Sequence, residues 1–120
     1  MPTLLPAPVR VQAAGSPPKL IDEHVGLVST SDDGLSIAVM RSPQGWSEPP
    51  QTPDFDEWTV VLKGVLLVEH DGDTIAVTEG QAVHVPAGET VRYSTPDAAT
   101  EYVSVCMPAF SPDRVHRAGP

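Results

Sequence analysis

Short runs in which apolar and polar residues alternate follow one another along the chain, and each run ends at a turn signal. A period of two residues predicts a β-strand with one buried face. The runs fall at residues 24–30, 34–41, 58–62, 65–70, 74–78, 81–85, 89–94 and 101–107. Roughly eight short strands separated by frequent turns predict an all-β sandwich or closed barrel.

Turn residues divide the chain further. Asp71-Gly72 is the strongest hairpin signal, since both central residues of that turn need a positive φ angle. The segment 42–55 carries four prolines, which predicts a loop or a broken edge strand. We therefore expect an extended N-terminal arm at residues 1–19, a β-barrel at 20–110 and a C-terminal tail at 111–120. The arm is predicted to be either a disordered leader or a segment that crosses to a second subunit.

Composition narrows the class of protein. The net charge of −9 argues against nucleic acid and anionic membranes as partners, because neither attracts so acidic a chain. No apolar run approaches membrane-spanning length, and the first residues do not resemble a signal peptide. The single cysteine, Cys106, rules out an internal disulfide framework. We expect one domain in a reducing, cytoplasmic compartment.

Two short motifs carry a family resemblance. Glu57 is followed by Gly64 after six residues, and Gly80 is followed by Pro86-Ala87-Gly88 after five. These spacings resemble the two signature motifs of the cupin family, small barrels that usually hold a metal on three His and one Glu. The resemblance implies a cupin-type double-stranded β-helix, a jelly-roll barrel, in a single domain. The chain looks most like the small single-domain group that includes the ethanolamine-utilisation cupin.

The usual metal ligands are replaced in this chain. The resemblance places the three His positions at Gln51, Pro53 and Val91, so that only Glu57 of the usual set remains. Because Pro53 and Val91 offer no ligand atom, we predict no metal and no other cofactor. A metal held by a rearranged set of Gln51, Glu57 and His84 stays open as an alternative.

Strand alternation predicts which side chains face the barrel interior. If Glu57 points inward, as the family motif implies, Thr59 and Val61 share its face, and the resemblance likewise directs Tyr93 inward. On the last strand the charged Glu101 is assigned outward. The predicted substrate-binding residues are Gln51, Thr59, His84, Val91, Tyr102, Ser104 and Cys106. Alternation alone does not assign a direction to His84, because Pro86 interrupts the phase between His84 and Val91.

Glu57 and Tyr93 are the predicted catalytic residues. Burial disfavours a charged carboxylate, so Glu57 is expected to work as a general acid or base near neutral pH. The alternative is that Glu57 serves only the fold, by accepting backbone N–H groups or by pairing with Arg41. At the level of function we expect a small-molecule ligand and either a metal-independent isomerase, lyase or cyclase, or a non-catalytic metabolite-binding protein. A homodimer is expected, because the outward residues Trp58, Val60 and Leu62 leave an apolar face.

Overall fold

The computed structural model describes residues 1–118 and shows ten strands and one short helix there. The strands are β1 (Val9–Val11), β2 (Leu20–Val25), β3 (Ser36–Ser42), β4 (Trp46–Ser47), β5 (Asp56–Lys63), β6 (Val65–His70), β7 (Asp73–Thr78), β8 (Ala82–Val85), β9 (Arg92–Thr95) and β10 (Thr100–Met107). The helix α1 covers Pro112–Val115. The predicted all-β, single-domain fold is confirmed.

The strands form two antiparallel sheets. One has six strands in the order β1-β2-β3-β10-β5-β8, and the other has four in the order β4-β9-β6-β7. Side chains from both sheets meet in the main core, among them Trp46, Val61, Leu66 and Tyr102. By this order, consecutive strands often lie in different sheets, as in the jelly-roll barrel that the family resemblance implies.

Alternation governs the two central strands of the larger sheet. In β10 every second residue is buried from Thr100 to Cys106, and in β5 the buried residues are Glu57, Thr59 and Val61. β5 and β10 pair so that Glu57 lies opposite Cys106. The interior face of these strands is therefore the one that the sequence pattern predicts.

The hairpin between β6 and β7 forms where the sequence predicts it. Asp71 and Gly72 have φ angles of 49° and 81°, and the flanking strands pair from His70 with Asp73 outward. Positive φ angles at both turn residues match the right-handed twist of the two strands.

The first predicted strand, 24–30, was wrong. The strand β2 ends at Val25, and residues 26–30 form a turn in which the Thr30 N–H donates to the Gly26 carbonyl at 3.0 Å. The carboxylate of Glu23 accepts the N–H groups of Val28 and Ser29 at 3.0 and 2.8 Å. These contacts hold the backbone out of the extended conformation, although the apolar residues of the turn have a strand-like composition.

Both predicted terminal segments contact the barrel. In the arm, β1 pairs with β2 of the same chain, and the Trp46 Nε1–H donates to the Ala14 carbonyl at 3.2 Å. In the tail, the Thr52 N–H donates to the His116 carbonyl at 3.1 Å. Residues 1–118 contain no helix with the length and hydropathy of a membrane span.

Candidate functional site

A cavity lies inside the barrel, bounded mainly by the inner face of the six-stranded sheet. Its volume is about 50 Å³. A water molecule needs roughly 10–15 Å³ by this measure, so the cavity has room for a few of them. The wall consists of Val11, Lys19, Ile21, Glu23, Ser36, Ala38, Met40, Glu48, Gln51, Phe55, Glu57, Thr59, Tyr93, Tyr102, Ser104, Cys106, Phe110 and Arg117. Seven of the nine predicted site residues are in this set, and His84 and Val91 are not.

Glu57 is the buried carboxyl group at the centre of the predicted site, with 7% of its surface exposed. The Tyr93 hydroxyl donates to its Oε1 at 2.8 Å. The Gln51 Nε2 lies 3.5 Å from the same oxygen, and the Cys106 Sγ lies 3.7 Å from Oε2. The strands β5, β9 and β10 and the loop before β5 therefore bring four predicted residues together at one carboxyl group.

The environment of Glu57 favours its protonated form. Burial raises the pKa of this carboxyl group, and the nearby charge of Glu48 raises the pKa further, while the hydrogen bond from Tyr93 opposes the shift. Burial also raises the pKa of the Tyr93 phenol well above its ordinary value, so that Tyr93 keeps its proton and remains a donor. Glu57 can therefore hold a proton at a higher pH than an exposed glutamate holds one.

Glu23, a second buried carboxylate in the cavity wall, has a structural role. Glu23 accepts two backbone N–H groups in the turn after β2. Within residues 1–118, Glu57 has hydrogen bonds only to side chains, and Arg41 pairs with Asp22 and Glu101 instead. The two fold-serving contacts considered for Glu57 are thus absent from this part of the chain.

The remaining lining residues make pairs along the sheet. The Thr59 and Ser104 hydroxyls lie 3.3 Å apart, and the Tyr102 hydroxyl lies 2.8 Å from the Ser42 hydroxyl. Burial raises the pKa of the Cys106 thiol far above its ordinary value, so Cys106 is a neutral thiol and not a nucleophilic thiolate.

Two predicted site residues lie elsewhere. His84 is opposite Trp58 in the β5–β8 pair, and its ring stacks on the Trp58 ring at 4.6 Å between centroids. The His84 Nε2 lies 3.1 Å from an Asp56 carboxylate oxygen, and 44% of the side chain is exposed. Val91 is buried in the apolar core and exchanges two backbone hydrogen bonds with Gln51. The placement of both side chains in the cavity therefore needs correction.

The side chains at the motif positions do not fit the metal that cupins usually hold. Because His84 shares the outer face of the sheet with Trp58, it cannot join Gln51 and Glu57 in a rearranged ligand set. No group of three or more His, Cys, Asp or Glu residues within residues 1–118 has an arrangement that could bind a metal ion. An amide, a phenol and a single carboxyl group make a poor donor set for a transition metal.

Besides Glu23, three charged residues in the cavity wall escaped prediction. The Arg117 Nη1 lies 2.8 Å from a Glu48 carboxylate oxygen and 2.9 Å from the Gln51 Oε1. Lys19 is 9% exposed, and burial lowers its pKa to about 8. Lys19 follows two prolines in the predicted arm, Glu48 precedes two prolines in a predicted loop, and Arg117 is in the tail. No local signal in the sequence marks any of them as interior residues.

Comparison with known families agrees with this geometry. The model of the cupin domain family matches residues 38–106, which is more than half of the chain. The chain therefore belongs to the cupin family, and it is a small cupin that resembles the ethanolamine-utilisation group.

Individual relatives are longer proteins. The chain is 43% identical over 103 residues to "Endoribonuclease YbeY" of Myxococcus xanthus, covering 85% of this chain and 35% of that protein. It is 32% identical over 87 residues to "Acetate kinase EutQ" of Salmonella typhimurium, covering 71% of this chain and 38% of that protein. The chain thus spans about a third of the length of each. The polyketide cyclase RemF of Streptomyces resistomycificus has the same fold, with a TM-score of 0.75, 15% identity and coverage of 100% of this chain and 86% of that one.

Proposed function

We propose that this chain is a small-molecule-binding cupin that acts without the family's His-based metal site and uses Glu57 as a general acid and base. One observation carries the proposal. The Glu57 carboxyl group is buried in the cavity wall and receives the Tyr93 hydroxyl at 2.8 Å, while no backbone N–H group in residues 1–118 holds it for the fold. A carboxyl group that burial keeps able to gain and lose a proton suits proton transfer to a bound substrate.

The chemical step that fits this site is proton transfer at a carbon atom next to a carbonyl group. The C–H bond breaks, its electron pair forms an enolate, and the Glu57 carboxylate accepts the proton as a carboxylic acid. The Glu57 carboxylic acid then donates a proton, either the same one or one exchanged with solvent, to another atom of the molecule or back to the same carbon. Isomerase, lyase and cyclase reactions share this step, and it balances without an oxidant or reductant.

The neighbours of Glu57 support that role. Tyr93 donates to the carboxylate when Glu57 is ionised and therefore stabilises the base form. Phe55, Phe110 and Ala38 supply apolar wall around the polar groups. Limited hydration strengthens the interaction of Glu57 with any charge that develops on a bound substrate.

Exchange of carbon-bound hydrogen with heavy water tests the proposal. Butanone is incubated with the protein in D₂O, and loss of its α-proton signals is followed by ¹H NMR. We expect the wild-type chain to accelerate the exchange, and Glu57→Gln to reduce the accelerated rate by about 10²- to 10⁴-fold, the usual contribution of a general base. Tyr93→Phe should retain part of the rate. Its pH profile should move to higher pH, because the hydrogen bond from Tyr93 lowers the pKa of Glu57 and its loss raises that pKa.

The control is Glu79→Gln, an exposed glutamate in the turn between β7 and β8. It should exchange butanone protons as the wild type does. Equal exchange in Glu57→Gln, with its fold intact by circular dichroism, would remove the acid–base role. If the wild type binds butanone but accelerates no exchange, the chain is a metabolite-binding protein and not an enzyme.

We also propose that the chain is a cytoplasmic homodimer. Val60 and Leu62 on the outer face of β5 are 39% and 49% exposed, and Trp58 lies beside them on the same face. An apolar strip of this kind is typical of a contact between subunits. Light scattering of the purified chain should give twice the mass of one subunit, and Leu62→Lys should return it to the monomer mass. A wild-type chain that is monomeric would contradict the dimer.

A further inference from the structure

Lys19 places an ammonium group in the cavity wall. Its Nζ lies 3.3 Å from the Tyr102 hydroxyl oxygen, 3.5 Å from the Met40 sulfur and 4.1 Å from the centroid of the Trp46 ring. The residue is 9% exposed, so the group has little contact with solvent. A phenol, a thioether and an indole ring are weak substitutes for water around a cation.

No carboxylate in residues 1–118 pairs with this ammonium group within 4.0 Å, although Glu48 and Glu57 also line the cavity. Glu48 is engaged with Arg117 at 2.8 Å, and Glu57 is engaged with Tyr93 at 2.8 Å. Buried charges in proteins are normally paired, because an unpaired charge has a large desolvation cost. Lys19 is an exception to that rule, and it lines the cavity in which a ligand would bind.

The other charged side chains of the cavity wall already have partners. The Glu48 and Arg117 charges cancel as an ion pair. The Glu23 carboxylate accepts two backbone N–H groups, and Glu57 receives the Tyr93 hydroxyl. This leaves the Lys19 ammonium without a carboxylate partner in residues 1–118. An anionic group in the cavity would give Lys19 the missing counter-ion.

We propose that the ligand of this cavity is a small organic acid, and that Lys19 binds its carboxylate. The proposal deepens the small-molecule role given above and depends on it. The Lys19 ammonium and the Tyr102 hydroxyl, 3.3 Å apart, form a pair of donors for the two carboxylate oxygens. Because the cavity volume is about 50 Å³, the acid is compact, with roughly as many heavy atoms as propionate.

The apolar part of the cavity wall suits the hydrocarbon part of such an acid. Ile21, Ala38, Phe55 and Phe110 line the cavity and present no charge to the rest of the acid. A short hydrocarbon segment can pack there while the carboxylate remains at Lys19. This arrangement of one polar anchor in a mostly apolar pocket is typical of small-molecule sites.

Calorimetric titration with propionate and with its neutral isostere propionamide tests the proposal. We expect wild-type protein to bind propionate with a Kd on the order of 1–10 mM, and propionamide at least tenfold more weakly. Lys19→Met should weaken propionate binding at least tenfold without weakening propionamide binding. Lys63→Met removes an exposed lysine at the end of β5 and should leave both affinities unchanged.

Lys19→Gln serves as a second variant, since it retains a hydrogen-bond donor for Tyr102 and removes only the charge. Propionate binding that survives in Lys19→Met or Lys19→Gln would overturn the proposal, as would a wild-type chain that does not bind propionate at about 50 mM, well above the expected Kd. These results are separable from the proposed acid–base role, which the exchange of neutral butanone tests independently. If Glu57-dependent exchange occurs and propionate does not bind, the acid–base role holds and the carboxylate site fails.

Discussion

Replacing Lys19 with methionine is expected to stabilise the unliganded protein by about 3 kcal/mol at pH 7. The pKa of Lys19 is lowered from 10.5 to about 8, mainly by burial. One pKa unit corresponds to about 1.4 kcal/mol. Lowering the pKa of Lys19 from 10.5 to about 8 therefore costs the folded state about 3 kcal/mol while Lys19 is charged. Methionine keeps most of the apolar stem and brings no charge into the interior.

The gain should depend on pH in a defined window. The unfolded chain keeps the Lys19 proton up to about pH 10.5, whereas the folded chain releases it near pH 8. The cost of the buried charge is therefore complete below pH 8, falls as the pH rises to 10.5, and is absent above it. Lys19 is not among the causes of the raised pKa of Tyr102 or Cys106. By contrast, its charge lowers the pKa of Glu48 and of Glu57. The difference between the two unfolding curves therefore reports Lys19 together with its effect on these two carboxyl groups.

Urea unfolding of wild type, Lys19→Met and Lys63→Met at several pH values between 7 and 10.5 measures this effect. The Lys63→Met control should follow the wild type throughout, because Lys63 is exposed. If Lys19→Met is less stable than the wild type at pH 7, the contacts of Lys19 with Trp46 and Tyr102 outweigh its desolvation. Lys19 would then be a structural cation, and stability would not be given up for ligand binding.

Gly64→Ala is expected to destabilise the fold by about 2–5 kcal/mol, through backbone strain and overpacking together. Gly64 links β5 to β6 with a φ angle of 89°. A Cβ atom there would lie 2.5 Å from the Thr100 Oγ1 and 2.6 Å from the Ala99 carbonyl oxygen. The Thr100 hydroxyl cannot easily move, because it bonds the backbone of Val65 and Ala98.

Gly72→Ala is the matched control for that substitution. Gly72 also has a positive φ angle, 81°, but a Cβ atom added there would meet no other atom within 4 Å. It should therefore show only the conformational cost, about 1–2 kcal/mol. Thermal and urea unfolding of both variants separate the two contributions, and equal losses would mean that the contact with Thr100 and Ala99 does not restrict residue 64.

The strands were predictable where local pattern and turn chemistry agree. The hairpin of β6 and β7 has alternating strands and a turn that needs two positive φ angles, so its position follows from the sequence. The end of β2 did not follow, because it depends on the carboxylate of Glu23 reaching forward to the N–H groups of the next turn. A side-chain contact of this kind leaves no periodic signal.

The candidate site likewise contains residues that the local pattern predicts and residues that only the tertiary structure places. The predicted inward residues of β5 and β10 are buried, and all of them except Val61 line the cavity, because alternation alone determines the face of a residue within one strand. His84 differs because its face depends on the register between β8 and β5, which places it beside Trp58. Lys19 and Arg117 enter the cavity from segments outside the predicted barrel, and only tertiary packing brings them there.

The cavity wall is shared between the barrel and the two segments that flank it in sequence. Val11 and Lys19 precede the first long strand, and Phe110 and Arg117 follow the last one. A shortened protein cut to residues 20–110 would keep the nine strands from β2 to β10 but would lose the cation and the partner of Glu48. An affinity tag or fused domain that displaces either flanking segment is therefore expected to weaken ligand binding before it destabilises the fold.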